Sequence, residues 1–190
     1  MYLAKPYKFG HLNSSKEDLP FEYGDTWAVE KTSGPERLII APRSNQVDLI
    51  GELTSRMPEP FDVLYVFLVP RTDTPPGRYQ SPDPLTRADL TAFLSRFRDY
   101  FETDGRHDVW IRSAYDSSLL VFDQHNVIYA YGPLEAFEET LRSRDFAKVP
   151  DIHFPAPHTH HYNREFDDDQ DALLNYWSWK VSPLTEQDQD

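Results

Sequence analysis

The 190-residue chain contains no cysteine. That removes disulfides, thiolate zinc sites, iron–sulfur clusters and cysteine nucleophiles. Glycine is scarce, with 7 residues in all, and these never fall as G-x-G-x-x-G or G-x-x-x-x-G-K. No phosphate-cradling loop is therefore present. Neither a G-x-S-x-G elbow nor a His-Glu-x-x-His pair occurs, which leaves serine-hydrolase and helical zinc-protease mechanisms without support. Long hydrophobic runs are missing too. The longest, Val63 to Val69, has the length of a core strand, far short of the roughly 18 residues of a membrane span. Met1-Tyr2-Leu3-Ala4-Lys5-Pro6 lacks the apolar stretch of a signal peptide. The expectation is a cytoplasmic protein with no membrane association.

Positive charge is in short supply: 19 Lys and Arg face 32 Asp and Glu, a net charge of −13. Such a surface repels phosphate backbones. The paired arginines Arg96/Arg98 and Arg142/Arg144 sit near expected helix C-termini, where the macrodipole favours cations, so no nucleic-acid partner is expected. What the chain does have is 39% apolar and 14% aromatic residues, enough for a core.

The surplus negative charge is uneven. Residues 1–150 carry 17 basic and 23 acidic side chains, and residues 151–190 carry 2 and 9. The last segment also holds four of the seven histidines and two of the four tryptophans. Residues 1–150 read as the folded body, and 151–190 as an acidic, His- and Trp-containing extension packing on it. Prolines cluster at 70–84 and 150–157 and mark two extended connections.

Within the body, 26–30 and 37–41 read as a hairpin around Thr32-Ser33-Gly34-Pro35. Ser44 or Asn45 can cap a helix to about Met57, with Val47, Ile50, Leu53 and Met57 inward. Phe61 to Val69 is apolar on both faces except at Asp62 and reads as a central strand buried on both sides. The strand–helix–strand order predicts that the strands flanking this helix run parallel. Thr86-x-x-Asp89 opens a helix carrying Leu90, Phe93, Leu94, Phe97 and Phe101, closed by Gly105. Strands 107–113, 118–123 and 127–131 form a meander, followed by a helix with Leu134, Phe137 and Leu141. The fold class expected is α/β (mixed α+β): a five- to six-stranded mixed sheet, order ββαβαβββα, with helices packed on it. The first 25 residues read as irregular. A short helix opens at Asp167-Asp168-Asp169.

Four constellations carry candidate chemistry. His153, His158, His160 and His161 form a cluster in which His158 and His160 share one side of an extended chain. With a carboxylate such as Asp151 or Glu165 they can hold Zn²⁺ or another divalent metal. The usual further ligands of His-x-His hydrolases are absent at their usual offsets. Asp167, Asp168, Asp169 and Asp171 suit a helix N-terminus; beside Trp177 and Trp179 they also have the composition of a binding patch for a basic partner. Asp123-Gln124-His125-Asn126 contains an acid/base pair, yet between two strand ends it reads as a hairpin turn. Tyr129 and Tyr131 share a face with Val127, opposite Ile128 and Ala130, as cross-strand packing.

The leading functional expectation is a non-catalytic acidic interaction domain, of the immunity or inhibitor type, docking a basic protein and needing no cofactor. Its first alternative is a metal-dependent hydrolase or small-ligand binder using the histidine cluster. Its second is a nucleic-acid-mimicking decoy.

Overall fold

The computed structural model describes residues 6–188. Residues 1–5, most of the stretch read above for leader character, lie outside the described residues. In chain order the elements are β1 (Phe9–Leu12), β2 (Asp18–Pro20), β3 (Thr26–Glu30), β4 (Arg37–Ala41), α1 (Gln46–Thr54), β5 (Phe61–Phe67), β6 (Gly77–Gln80), α2 (Arg87–Arg96), α3 (Arg98–Thr103), β7 (His107–Ser113), β8 (Leu119–Phe122), β9 (Ile128–Tyr131), α4 (Leu134–Ser143), β10 (Ala147–Lys148), β11 (His158–His160), α5 (Asp167–Leu174) and β12 (Lys180–Ser182). Among the described residues, no helix is long and apolar enough to cross a membrane.

The mixed α+β class expected from the sequence is the one observed. Nine strands form one sheet in the order β10-β3-β4-β9-β8-β7-β5-β6-β12, and a second sheet holds β11-β1-β2. All six expected strands are present, but the main sheet is larger than five or six. β6 lies inside the proline-rich connection, β12 inside the extension, and β10 follows α4. Each is four residues or fewer and carries no alternation long enough to read; each exists because a neighbouring strand offers unpaired main-chain groups. The same holds for β1 and β2 in the stretch expected to be irregular. β4 and β5 do run in the same direction, since four antiparallel steps separate them, and the β7–β8–β9 meander fills the gap between them.

Alternation along the strands sorts the two faces. Phe61, Val63, Tyr65 and Phe67 of β5, Val109 and Ile111 of β7, Leu120 and Phe122 of β8, and Ile128 and Ala130 of β9 enter one large core. The apolar stripes of α1 to α5 all enter that same core, including Leu173 of α5. Among the described residues, an apolar layer covers one end of the opposite face, where Phe9, Tyr23 and Ile152 pack on Ala28, Ile39, Ala41 and Val127. This corrects the expectation that β5 is central and buried on both sides. It stands third from one edge, and Asp62 and Leu64 face a cleft over the open face.

Helix ends follow local chemistry with two differences. Thr86 and Asp89 form the reciprocal capping box at the start of α2. Asn45 does not cap α1: it adopts φ 56° and its side chain makes no cap bond. The carboxylate of Glu102 in α3 accepts from the Val47 N–H at 2.9 Å instead. Gly105 does not end its helix in a left-handed conformation. A Cβ there would lie 3.0 Å from the Lys8 carbonyl oxygen and 3.2 Å from that of His161, so glycine is required by close approach of two other chain segments.

Candidate metal centre

The site is assembled from β11 and the turn between β8 and β9. β11 is extended and pairs with β1 so that His160 lies opposite Phe9 and His158 opposite His11. Period two then sends the His158 and His160 rings to the same side. The β8–β9 turn is built by Asp123. Its Oδ1 accepts the main-chain N–H of His125 and of Val127, each at 2.9 Å, while Asn126 takes the left-handed conformation at φ 61°. This turn brings His125 over β11.

The three imidazoles meet there. Ring centroids are 4.7 Å apart for His125 and His160, 5.3 Å for His125 and His158, and 5.3 Å for His158 and His160. One ring nitrogen from each lies within 4.8 Å of the others. Around a tetrahedral ion at about 2.0–2.1 Å, nitrogens stand roughly 3.4 Å apart. To hold one ion the three nitrogens must therefore draw together by up to about 1.4 Å. Phe9 makes an apolar floor, its ring centroid 5.2, 5.5 and 5.8 Å from those of His125, His158 and His160.

The Nδ1 atoms of the three rings differ in their surroundings. His125 Nδ1 lies 2.9 Å from Asp123 Oδ2, and His158 Nδ1 lies 3.3 Å from the Pro155 carbonyl oxygen. His160 Nδ1 is buried with no hydrogen-bond partner among the described residues. Burial, reinforced by His125 and His158, pushes the His160 imidazole down to about 4, so it is neutral near pH 7, as a metal ligand must be. No thiolate is available, and the donor set of three imidazoles suits Zn²⁺ and its borderline neighbours.

His125 also borders a cleft of about 490 Å³ over the open face of the sheet, with Asp108, Trp110, Asp123, Tyr129 and Arg37. Arg37 lies 4.3 Å above the Tyr129 ring and donates to the Tyr131 hydroxyl at 2.7 Å. Asp108 accepts from the Gln124 N–H at 2.9 Å. Burial and the facing Asp123 carboxylate push Asp108 up to about 7, against the pull of Lys8.

Of the four histidines expected to act together, the structure brings His158 and His160 together and sets two apart. His161 faces the other way, with Nε2 2.8 Å from Asp18 Oδ2 and its ring 4.2 Å from that of Tyr7. His153 is exposed and outside the cluster, and Asp151 and Glu165 are exposed and likewise absent from it. Among the residues expected to dock a partner, Asp167 pairs with Arg71 at 3.1 Å and Arg106 at 2.9 Å. Asp168 and Asp171 are exposed and Asp169 is half-buried. Trp177 stacks on Phe93 at 4.5 Å, and Trp179 lies 5.0 Å from Trp177 and donates to the Leu173 carbonyl at 3.0 Å. The ligand position that sequence reasoning passed over is His125. Its signal was the Asp-x-His spacing, which serves turn geometry and ring orientation at once. Comparison with protein-family models, with curated proteins and with solved structures gives no match to this chain.

Proposed function

We propose that the chain binds a divalent metal ion, with zinc the best fit, through His125, His158 and His160, and that it uses the ion to activate water for hydrolysis in the adjoining cleft. The observation that carries this reading is the convergence of three imidazoles from two segments more than thirty residues apart, with one ring nitrogen of each within 4.8 Å of the others. Three protein ligands leave a fourth position open, the pattern of catalytic rather than structural zinc. A bound ion there lowers the pKa of its water and supplies a hydroxide at neutral pH. The chain's own part is to hold three rings over the apolar Phe9 floor, with His125 also bordering the cleft that Asp108 and Arg37 line. The docking alternative has less support, because Asp167, Trp177 and Trp179 are engaged within the molecule.

The test is zinc binding by the untagged protein, measured by calorimetry and by elemental analysis after purification. Binding near one ion per chain is expected, with a rise in melting temperature that EDTA reverses. The double substitution His158→Ala with His160→Ala, and His125→Ala alone, each abolish it. Wild-type protein with no measurable zinc affinity overturns the reading.

A further inference from the structure

We propose that Asp123 is the positioning residue of this centre: it holds His125 in the tautomer whose Nδ1 carries the proton, leaving Nε2 to meet the ion. This rests on the three-histidine reading above and adds a residue that does not itself touch the ion.

One oxygen of Asp123 is committed to two main-chain donors, the N–H groups of His125 and Val127. The plane of the carboxylate is thereby fixed by the turn that the residue itself builds. The second oxygen remains, and it meets His125 Nδ1 at 2.9 Å. A carboxylate has acceptors only, so the ring must donate at that atom. A neutral imidazole with a proton on Nδ1 presents its lone pair at Nε2, on the far side of the ring. The neighbouring ligands are held less firmly. His158 faces a carbonyl, also an acceptor only, at the long distance of 3.3 Å, and His160 Nδ1 has no partner among the described residues. Among the described residues, Asp123 is thus the single charged group that sets the tautomer of any ring in the cluster, and it ties that tautomer to the shape of the β8–β9 turn.

Outer-sphere carboxylates of this kind contribute about 10- to 100-fold to metal affinity. Asp123→Asn separates this role from the turn. The amide oxygen still accepts the two main-chain N–H groups, but an NH₂ replaces the oxygen that faces the ring. His125 must then accept at Nδ1 and carry its proton on Nε2. The experiment is two-bond nitrogen–proton NMR of labelled, metal-free protein, paired with zinc calorimetry. Expected are a His125 Nδ1–H tautomer in the wild type, its reversal in Asp123→Asn, and zinc affinity weakened about 10- to 100-fold with the amide spectrum otherwise retained. Should the variant not fold, the wild-type tautomer alone decides, and an Nε2–H form there overturns the proposal. Equal zinc affinity in wild type and Asp123→Asn overturns it while the three-histidine reading stands. Wild-type protein that binds no zinc overturns both.

Discussion

Arg106 closes on Asp104 in a fork cut off from solvent: Nε donates to Oδ1 at 2.7 Å and Nη2 to Oδ2 at 3.0 Å, with neither side chain exposed. The rest of the guanidinium gathers the C-terminal segment. Nη1 donates to Asp167 at 2.9 Å and to Gln170 at 2.7 Å, and Nη2 to the Asn163 carbonyl at 2.7 Å. One side chain thus ties residues 163–170 to the body. Arg106→Ala leaves Asp104 buried without its partner, at an expected cost of about 3–5 kcal/mol. Arg106→Lys recovers only part of it, because an ammonium cannot make the fork. Urea denaturation measures both, and limited proteolysis of the alanine variant should nick first beyond residue 150. A loss under about 1 kcal/mol for alanine refutes the clamp.

His107 supplies the pH prediction. The ring is fully buried among Tyr65, Tyr100 and Phe101, and neither nitrogen has a hydrogen-bond partner among the described residues. Burial, then Lys8 and Arg106, hold its pKa well below the usual histidine value. For a base with a depressed folded-state pKa, the unfolded chain takes up the proton first. This contribution to stability is therefore complete above about pH 6.5 and is lost as pH falls from there toward the folded-state value. Asp108 acts in the opposite sense, because its raised pKa of about 7 lets the folded state take up the proton first on acidification. The clean observable is the difference between His107→Leu and wild type. It should favour the variant already at pH 8, where unpartnered nitrogens cost about 1–3 kcal/mol, and grow as pH falls to 5. A difference independent of pH contradicts the assignment.

Two glycines should respond with opposite signs. Gly105→Ala drives a Cβ against main-chain oxygens of Lys8 and His161, which cannot rotate away, and should cost about 1–3 kcal/mol. Gly51 lies inside α1, and a Cβ added there would meet nothing within 4 Å. Gly51→Ala should therefore gain up to about 1 kcal/mol of helix stability. Melting temperatures of the two variants decide it.

Trp177 packs against the core and stacks on Phe93, so Trp177→Ala should cost about 2–3 kcal/mol, below the range for a fully buried tryptophan. Asp168→Asn and Asp171→Asn, on an exposed helix face, should stay within about 0.5 kcal/mol of wild type. If the tryptophan variant is as stable as wild type, its stacking on Phe93 contributes nothing.

The hairpin of β3 and β4, the β7–β9 meander and the stripes of α1, α2 and α4 were legible from their periods and from the turn residues that join consecutive strands. β6, β10 and β12 were not, since each is short and no turn signal links it to the strand it pairs with. The site was half legible. His158 and His160 share a side by strand period alone, whereas His125 joins them only because β11 crosses the end of the meander, a juxtaposition across more than thirty residues that no local pattern encodes. Asp123 forms the turn that its sequence context predicts with one oxygen, and its second oxygen meets the His125 ring.

The borders of the large sheet have a consequence of their own. One border is a strand of two residues ending in Lys148, the other a strand of three beginning with Lys180. Neither offers the long, flat, apolar ladder on which a neighbouring molecule could template itself. A sheet of nine strands thus ends on short borders that discourage edge-to-edge growth, without being rolled into a barrel to hide them.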